Sequence, residues 1–356
     1  MNRRLFPHWF FGAIALIALW VVACQSPSSV TDNSANPSEP AAIVRLNGTG
    51  ASFPFFIYQH WFSEYNQLHP NVQVNYQPTG SEVGVQQMIS GTIDFGASDV
   101  AMREADMAAV EQGIVLLPMT AGSVAIAYNL PGIDSGLKLT RAVYPAIFAG
   151  EIANWSDPQI AAANPDLTLP DLPIILVHRS DGSGTTAALT NHLSAISPTW
   201  KETVGAGVSV SWPAGVAIKS NAGVSAQIQQ AAGAIGYVEL SYAQQLGMTV
   251  AALENQAGEF VLPGVASTAS ALSTVELPDS LVAFVPDPEE AESYPISTYT
   301  WIMAYQQYDD PAKGATLREL LQWCATEGQA YSEELGYVPL SEEVANRVVA
   351  AIAQIQ

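Results

Sequence analysis

The densest chemistry in the chain lies in Arg179-Ser180-Asp181-Gly182-Ser183-Gly184-Thr185, where a guanidinium, hydroxyls and glycines fall within one short segment. The apolar run Pro173–Val177 before it predicts a buried strand. Thr186-Ala187-Ala188-Leu189 after it suits a helix. A strand, a glycine-rich turn and a helix start together make an anion cradle. The glycines let the backbone turn tightly, free N–H groups point outward, and the helix dipole favours negative charge. Three other turns have the same character: Gly48–Pro54, Thr79-Gly80-Ser81 and Gly96-Ala97-Ser98-Asp99. One such turn is most simply a helix cap. Four of them, each at the carboxyl end of an expected strand, sit where open α/β sheets place their ligands. The sequence carries neither a complete Gly-x-Gly-x-x-Gly pattern here nor a Gly-Lys-Ser/Thr P-loop.

These turns need strands and helices to aim them. Residues 55–68 put Ile57, Trp61, Tyr65 and Leu68 on one helical face. Val72, Val74 and Tyr76 alternate as in a strand, residues 82–90 suit a short helix, and Ile93–Gly96 suits another strand. Val124–Tyr128 is again of strand type. Alternation of this kind predicts a mainly parallel sheet. Near the end, Ser341 is expected to cap a helix carrying Val344, Val348, Ile352 and Ile355.

The chain has 356 residues, of which 12 are basic and 33 acidic, for a net charge of -21. That balance argues against nucleic acid or an anionic membrane surface as partner. It also means that an anion must be held by local, desolvated donors and not by long-range attraction. Arg3 and Arg4, an apolar stretch from Trp9 to Val22, and Ala23-Cys24 have the layout of an export signal. Val21-Val22-Ala23-Cys24 resembles a lipoprotein processing box, which implies lipid attachment at Cys24; a plain cut after Ala23 is the alternative. The expected organisation is a signal at 1–23 and a polar tether at 24–42. Cys324 is then left without a disulfide partner and is expected to be a buried packing residue.

The segments Gly48–Pro54, Asp94-Phe95-Gly96-Ala97-Ser98-Asp99, Arg179–Thr185 and Gly233-Ala234-Ile235-Gly236-Tyr237 resemble the PstS-type phosphate-binding proteins, the extracytoplasmic receptors of bacterial phosphate ABC importers. The likeness covers nearly all of residues 45–355. It implies an α/β, periplasmic-binding-protein-like (type II) fold: two lobes, a ligand cleft, and hinge strands that cross between the lobes. The expected boundaries are 43–122 with 296–356 for one lobe and 123–295 for the other. The hinges are expected near Ala121–Ala125 and Ile296–Thr300.

Carried over residue by residue, the resemblance implies that Ser52 donates through its hydroxyl and Phe53 through its N–H. Ser81 donates from the second turn, Arg179 gives a forked contact, and Ser183, Gly184 and Thr185 donate from the cradle. Asp99 is the acceptor, and Asp181 holds Arg179 in place. An ionised Asp99 would accept a hydrogen bond from protonated phosphate and repel sulfate, which has no proton to offer. Two positions depart from the family pattern. Glu82 brings an acid close to the proposed anion and is tolerable only if it points away. His178 stands where a second arginine is common, and beside Arg179 on a strand it is expected to face the other way and pack.

The resemblance further implies inorganic phosphate and membrane permease subunits as partners, a monomer, no cofactor and no metal. Rival readings are a receptor for another oxyanion, a phosphate sensor, or a phosphatase using Ser183 or Ser52. Against the last, Ser183 lacks the nucleophile-elbow spacing. His60, His69, His178 and His192 all lie in segments where packing or surface roles are simpler.

Overall fold

The computed structural model describes residues 42–356. The signal segment, Cys24 and the tether therefore lie outside the described residues. Three parallel strands open the fold: β1 (Val44–Gly50), β2 (Val72–Gln77) and β3 (Phe95–Ser98). Between and after them run α1 (Phe55–Leu68), α2 (Ser81–Ile89) and the short α3 (Glu104–Met107). Next comes β4 (Ile114–Tyr128), in which every residue is buried. The second half of the chain alternates smaller strands and helices. These are β5 (Lys138–Leu139), α4 (Val143–Phe148), α5 (Pro158–Ala163), β6 (Ile175–Arg179), α6 (Gly184–Ile196) and α7 (Pro198–Thr203). They continue with β7 (Val216–Ile218), α8 (Ser220–Gln230), β8 (Ala234–Glu239), α9 (Leu240–Gln245), β9 (Thr249–Val250), β10 (Ala252–Glu254), β11 (Phe260–Val261) and α10 (Val265–Ser273). The chain then returns through β12 (Ser297–Tyr305) to α11 (Pro311–Ala325) and α12 (Glu342–Ile352).

Among the described residues the main sheet has the order β2-β1-β3-β12-β4-β8-β6-β7, with β9 beside β4. Pairing is parallel at both ends, within β2-β1-β3 and within β8-β6-β7. It is antiparallel in the middle, where β12 joins β3 to β4 and β4 joins β8. The expectation of a mainly parallel sheet thus holds at the two ends of the sheet and fails in its middle. β4 is the strand that runs on from the β12 side to the β8 side, and it meets an antiparallel neighbour on each. Residues 114–123 of β4 pair with β12, and Val124–Tyr128 pair with β8. The change of partner at Ser123/Val124 falls inside the hinge expected near Ala121–Ala125. A bulge interrupts the β4–β12 register at Thr300/Trp301.

The local elements follow from their sequences. On α1, Ile57, Trp61 and Tyr65 are buried, but Leu68 is 62% exposed because the helix ends there and the chain turns away. The predicted strands slide by two residues: Pro173–Val177 becomes Ile175–Arg179, and Ile93–Gly96 becomes Phe95–Ser98. Both shifts carry polar residues, His178, Arg179 and Ser98, onto strands as buried groups that apolar patterning does not register. Ser341 accepts from Val344 N at the start of α12, and Val348, Ile352 and Ile355 are buried. Cys324 is free and buried on α11. Asp287 takes a forked ion pair from Arg141, at 2.7 Å for both contacts.

Candidate functional site

All of the sequence-predicted site residues in the described part of the chain come together where the carboxyl ends of β1, β3 and β6 face one another. Ser52, Phe53, Ser81, Asp99, Ser183 and Thr185 are each no more than 2% exposed, and Arg179 is 4% exposed. The β1 turn starts at Gly50, whose φ of +142° suits glycine and whose Cβ would lie 2.0 Å from the Ala97 carbonyl. That close approach stacks the β1 turn against the β3 turn. The Ala51 N–H then bonds to Ala97 O at 2.8 Å and the Gly80 N–H to Gly50 O at 2.8 Å.

Arg179 ends β6. Its Nε and Nη2 donate to the two oxygens of Asp181 at 2.7 and 2.5 Å. Burial alone would raise the Asp181 pKa, but the guanidinium outweighs it and holds the carboxylate below its ordinary range. The Ser220 N–H adds a bond to Asp181 at 3.1 Å. The brace leaves one guanidinium nitrogen over. Nη1 of Arg179 is buried with no protein partner among the described residues. A buried cationic donor left unpaired is costly unless an anion meets it.

The cradle behaves as a helix start. Ser183 caps α6, its Oγ accepting from Thr186 N at 3.2 Å. The N–H of Gly184 donates to Ser81 Oγ at 3.0 Å, across from the other half of the sheet. The N–H of Thr185 lies in the first helical turn, where no intrahelical acceptor exists. A Cβ on Gly184 would sit 2.4 Å from the Asp99 Cβ, so the cradle and the β3 turn are in close contact. Glu82 is exposed, and its carboxylate rests against the outer side of Gly182, where a Cβ would be 2.0 Å from its Oε2. It therefore points away from the cleft, as an acid there must. Its own N–H bonds to Gly182 O at 3.1 Å.

Asp99 is the carboxyl of the cleft. Its Oδ1 accepts from Thr300 Oγ1 at 2.8 Å, and its N–H approaches Ser81 Oγ at 3.4 Å. Burial pushes its pKa up to about 7, against the opposing pull of Thr300, Arg179 and Ser81. Near neutral pH this carboxyl is thus poised between its protonated and its ionised form.

His178 points out of the cleft. Its ring stacks on Trp212 with centroids 4.9 Å apart, and burial lowers its pKa. His192 is buried between Tyr144 OH at 2.7 Å and Pro286 O at 2.6 Å, with its pKa pushed down by burial to about 4. Among the described residues, neither histidine bonds to Ser52 or Ser183.

Several supporting residues escape sequence reasoning. Thr300 sits on β12 opposite the bulge that Met119 makes in β4, and a bulge leaves no compositional mark. Asn221 opens α8 after the β7 strand; its amide reaches Ser52 Oγ at 3.1 Å and Thr185 Oγ1 at 3.3 Å. The strand–turn–helix pattern that singled out the other four turns also describes Lys219-Ser220-Asn221, so this one was within reach. Glu239 is buried behind the cleft, bonded by Ser241 and approached by Tyr337 OH at 3.3 Å, and burial raises its pKa to about 8. Tyr337 and Tyr242 donate to Phe53 O and Ser52 O, both at 2.8 Å, fixing the two peptides of the β1 turn.

Comparison with known proteins places these features in a wider group. Residues 34–327 match the PBP superfamily domain. A phosphate-binding protein PstS from Xylella fastidiosa is 38% identical over 92% of this chain and 89% of its own. One from Pasteurella multocida is 42% identical over 86% of this chain and 89% of its own. Among solved structures, a high affinity periplasmic phosphate-binding protein bound with phosphate superposes with a TM-score of 0.72 at 22% identity. That superposition covers 86% of this chain and 93% of the other.

Proposed function

The chain belongs to the PBP superfamily, within its PstS phosphate-binding proteins, and from that membership we propose that the cleft holds one inorganic phosphate for delivery to the permease of an ABC importer. The observation that carries this reading is the buried, unpaired Nη1 of Arg179, set among hydroxyls that face a buried carboxyl. Arg179 supplies the charge. Ser52, Phe53, Ser81, Ser183 and Thr185 supply neutral donors, the expected Gly184 N–H being given instead to Ser81 Oγ at 3.0 Å, and Asp99 takes the proton that phosphate keeps near neutral pH. Asp181 keeps the guanidinium in plane.

The site binds and does not turn over. Ser183 Oγ is occupied as a helix cap, and a hydroxyl that is to attack needs a base beside it. The protein acts outside the cytoplasm, as a monomer. Cys24 carries a lipid that holds it at the membrane, an assignment that rests on the processing-box residues alone; a Cys24→Ala chain found in the soluble fraction would bear it out. The lobes run over 43–122 with 296–356 and over 123–295, a division supported by the change of β4 partner at Ser123/Val124.

Calorimetric titration with phosphate, arsenate and sulfate in parallel tests the reading. Tight phosphate binding with sulfate much weaker at pH 8 is the expected result. Sulfate binding equal to phosphate, or hydrolysis of a chromogenic phosphate ester, would overturn it.

A further inference from the structure

Asn221 is wholly buried at the start of α8, and its hydrogen bonds fix a direction. Its Oδ1 accepts from the backbone N–H of Glu239 at 3.1 Å. A backbone N–H can only donate, so this end of the amide is the oxygen and the other end is the NH2 group. The two hydrogens of that NH2 group reach two hydroxyls, Ser52 Oγ at 3.1 Å and Thr185 Oγ1 at 3.3 Å. The Asn221 N–H also reaches Ser52 Oγ, at 3.3 Å. Ser52 Oγ therefore accepts twice, which fills both of its lone pairs. What remains to it is its single proton, and among the described residues no protein acceptor takes that proton. Thr185 Oγ1 likewise accepts from Asn221 and keeps a proton to give.

We propose that Asn221 is a positioning residue for the bound oxyanion: by donating to Ser52 and Thr185 it forces both hydroxyls to present their protons to the cleft. A serine hydroxyl left free can rotate and offer a lone pair instead. Toward an anion that orientation is repulsive, and the rotor must be ordered on binding. With Asn221 in place the hydroxyls are donors before the anion arrives. Because Ser52 follows β1 while Thr185 and Asn221 belong to the β6–β8 half, the same amide also spans the cleft. The inference rests on the phosphate reading above, since it needs an anion to receive the two protons.

Phosphate titration of four chains tests it: wild type, Asn221→Ala, Ser52→Ala and the double variant, each checked for an unchanged melting profile. Asn221→Ala should weaken phosphate binding about tenfold in the wild-type background but no more than about threefold once Ser52 is alanine, because half of its action is then gone. An equal loss in both backgrounds would mean that Asn221 serves the fold and not the hydroxyls, and would overturn the proposal. Asn221→Asp keeps the shape but turns two donors into acceptors; it should bind phosphate at least about a hundredfold more weakly, and it carries the test if the alanine variant does not fold. Phosphate affinity of the Asn221→Asp chain within about threefold of wild type would equally refute the role. If the wild-type chain itself fails to bind phosphate, both readings fall; if it binds while the variants show no coupling, this one alone does.

Discussion

Replacing Asp99 by asparagine separates two oxyanions that differ by a proton. Asp99 is buried, its Oδ1 is held by Thr300 at 2.8 Å, and its pKa stands near 7. Sulfate brings no proton, so it binds only the fraction of protein in which Asp99 is protonated and can donate. At pH 7 that fraction is about one half; at pH 9, two units above the pKa, it is about 1%. Sulfate affinity of the wild type should therefore fall about 50-fold between pH 7 and pH 9, about 2.3 kcal/mol. Phosphate still carries a proton across this range and can donate it to the ionised carboxylate, so its affinity should not fall in the same way. The asparagine side chain offers an amide N–H at every pH, and the Asp99→Asn variant should bind sulfate with no such decline. Glu239 also titrates nearby, its pKa near 8, but it is present in both proteins, so the difference between their slopes isolates Asp99. Calorimetric titration of both proteins with both anions at pH 6, 7, 8 and 9 is the assay. Parallel slopes for wild type and variant, or a wild-type sulfate affinity that does not change with pH, would refute the reasoning.

Arg179→Ala should weaken phosphate binding by about 2–5 kcal/mol, since it removes the only formal positive charge among the proposed contacts and leaves Asp181 buried beside the anion; calorimetry reads this directly. Glu239 has a folded-state pKa raised to about 8, so the folded protein binds the extra proton and its stability falls as pH rises from about 4.5 through 8. Glu239→Gln should remove that decline, and thermal melts at pH 4.5, 6 and 9 should show the variant gaining steadily on the wild type as pH rises. Gly184→Ala should obstruct closure, because its Cβ would lie 2.4 Å from the Asp99 Cβ. Solution scattering should then show less compaction on adding phosphate than in the wild type.

Much of the fold was legible because its signals are local. The α1 stripe, the cap at Ser341 and the hydroxyl turns after β1, β2, β3 and β6 each lie within one stretch of chain. What was not legible depends on distant partners. The antiparallel centre of the sheet arises from strands β4 and β12, far apart in sequence, and no periodicity encodes which neighbour a buried strand will choose. For the site, Arg179, Asp181 and the cradle residues stand together in one motif and were found; Thr300 and Glu239 act across long loops and were not. The pKa of Asp99 was missed for the same reason, since burial by remote elements sets it.

The bonds that join the two sides of the cleft have a consequence for the idle receptor. Glu82 N to Gly182 O, Gly184 N to Ser81 Oγ and the Asn221 bonds to Ser52 involve protein atoms only. At roughly 0.5–1.5 kcal/mol net for each, they favour the shut arrangement by a few kcal/mol whether or not an anion is inside. A permease that selects its cargo carriers by their shut shape would thus meet empty ones at a fixed rate, set by these few bonds. Weakening them would lower that background traffic and cost affinity in the same proportion. The tightness of the receptor and the rate of its false deliveries are thereby governed by one set of contacts.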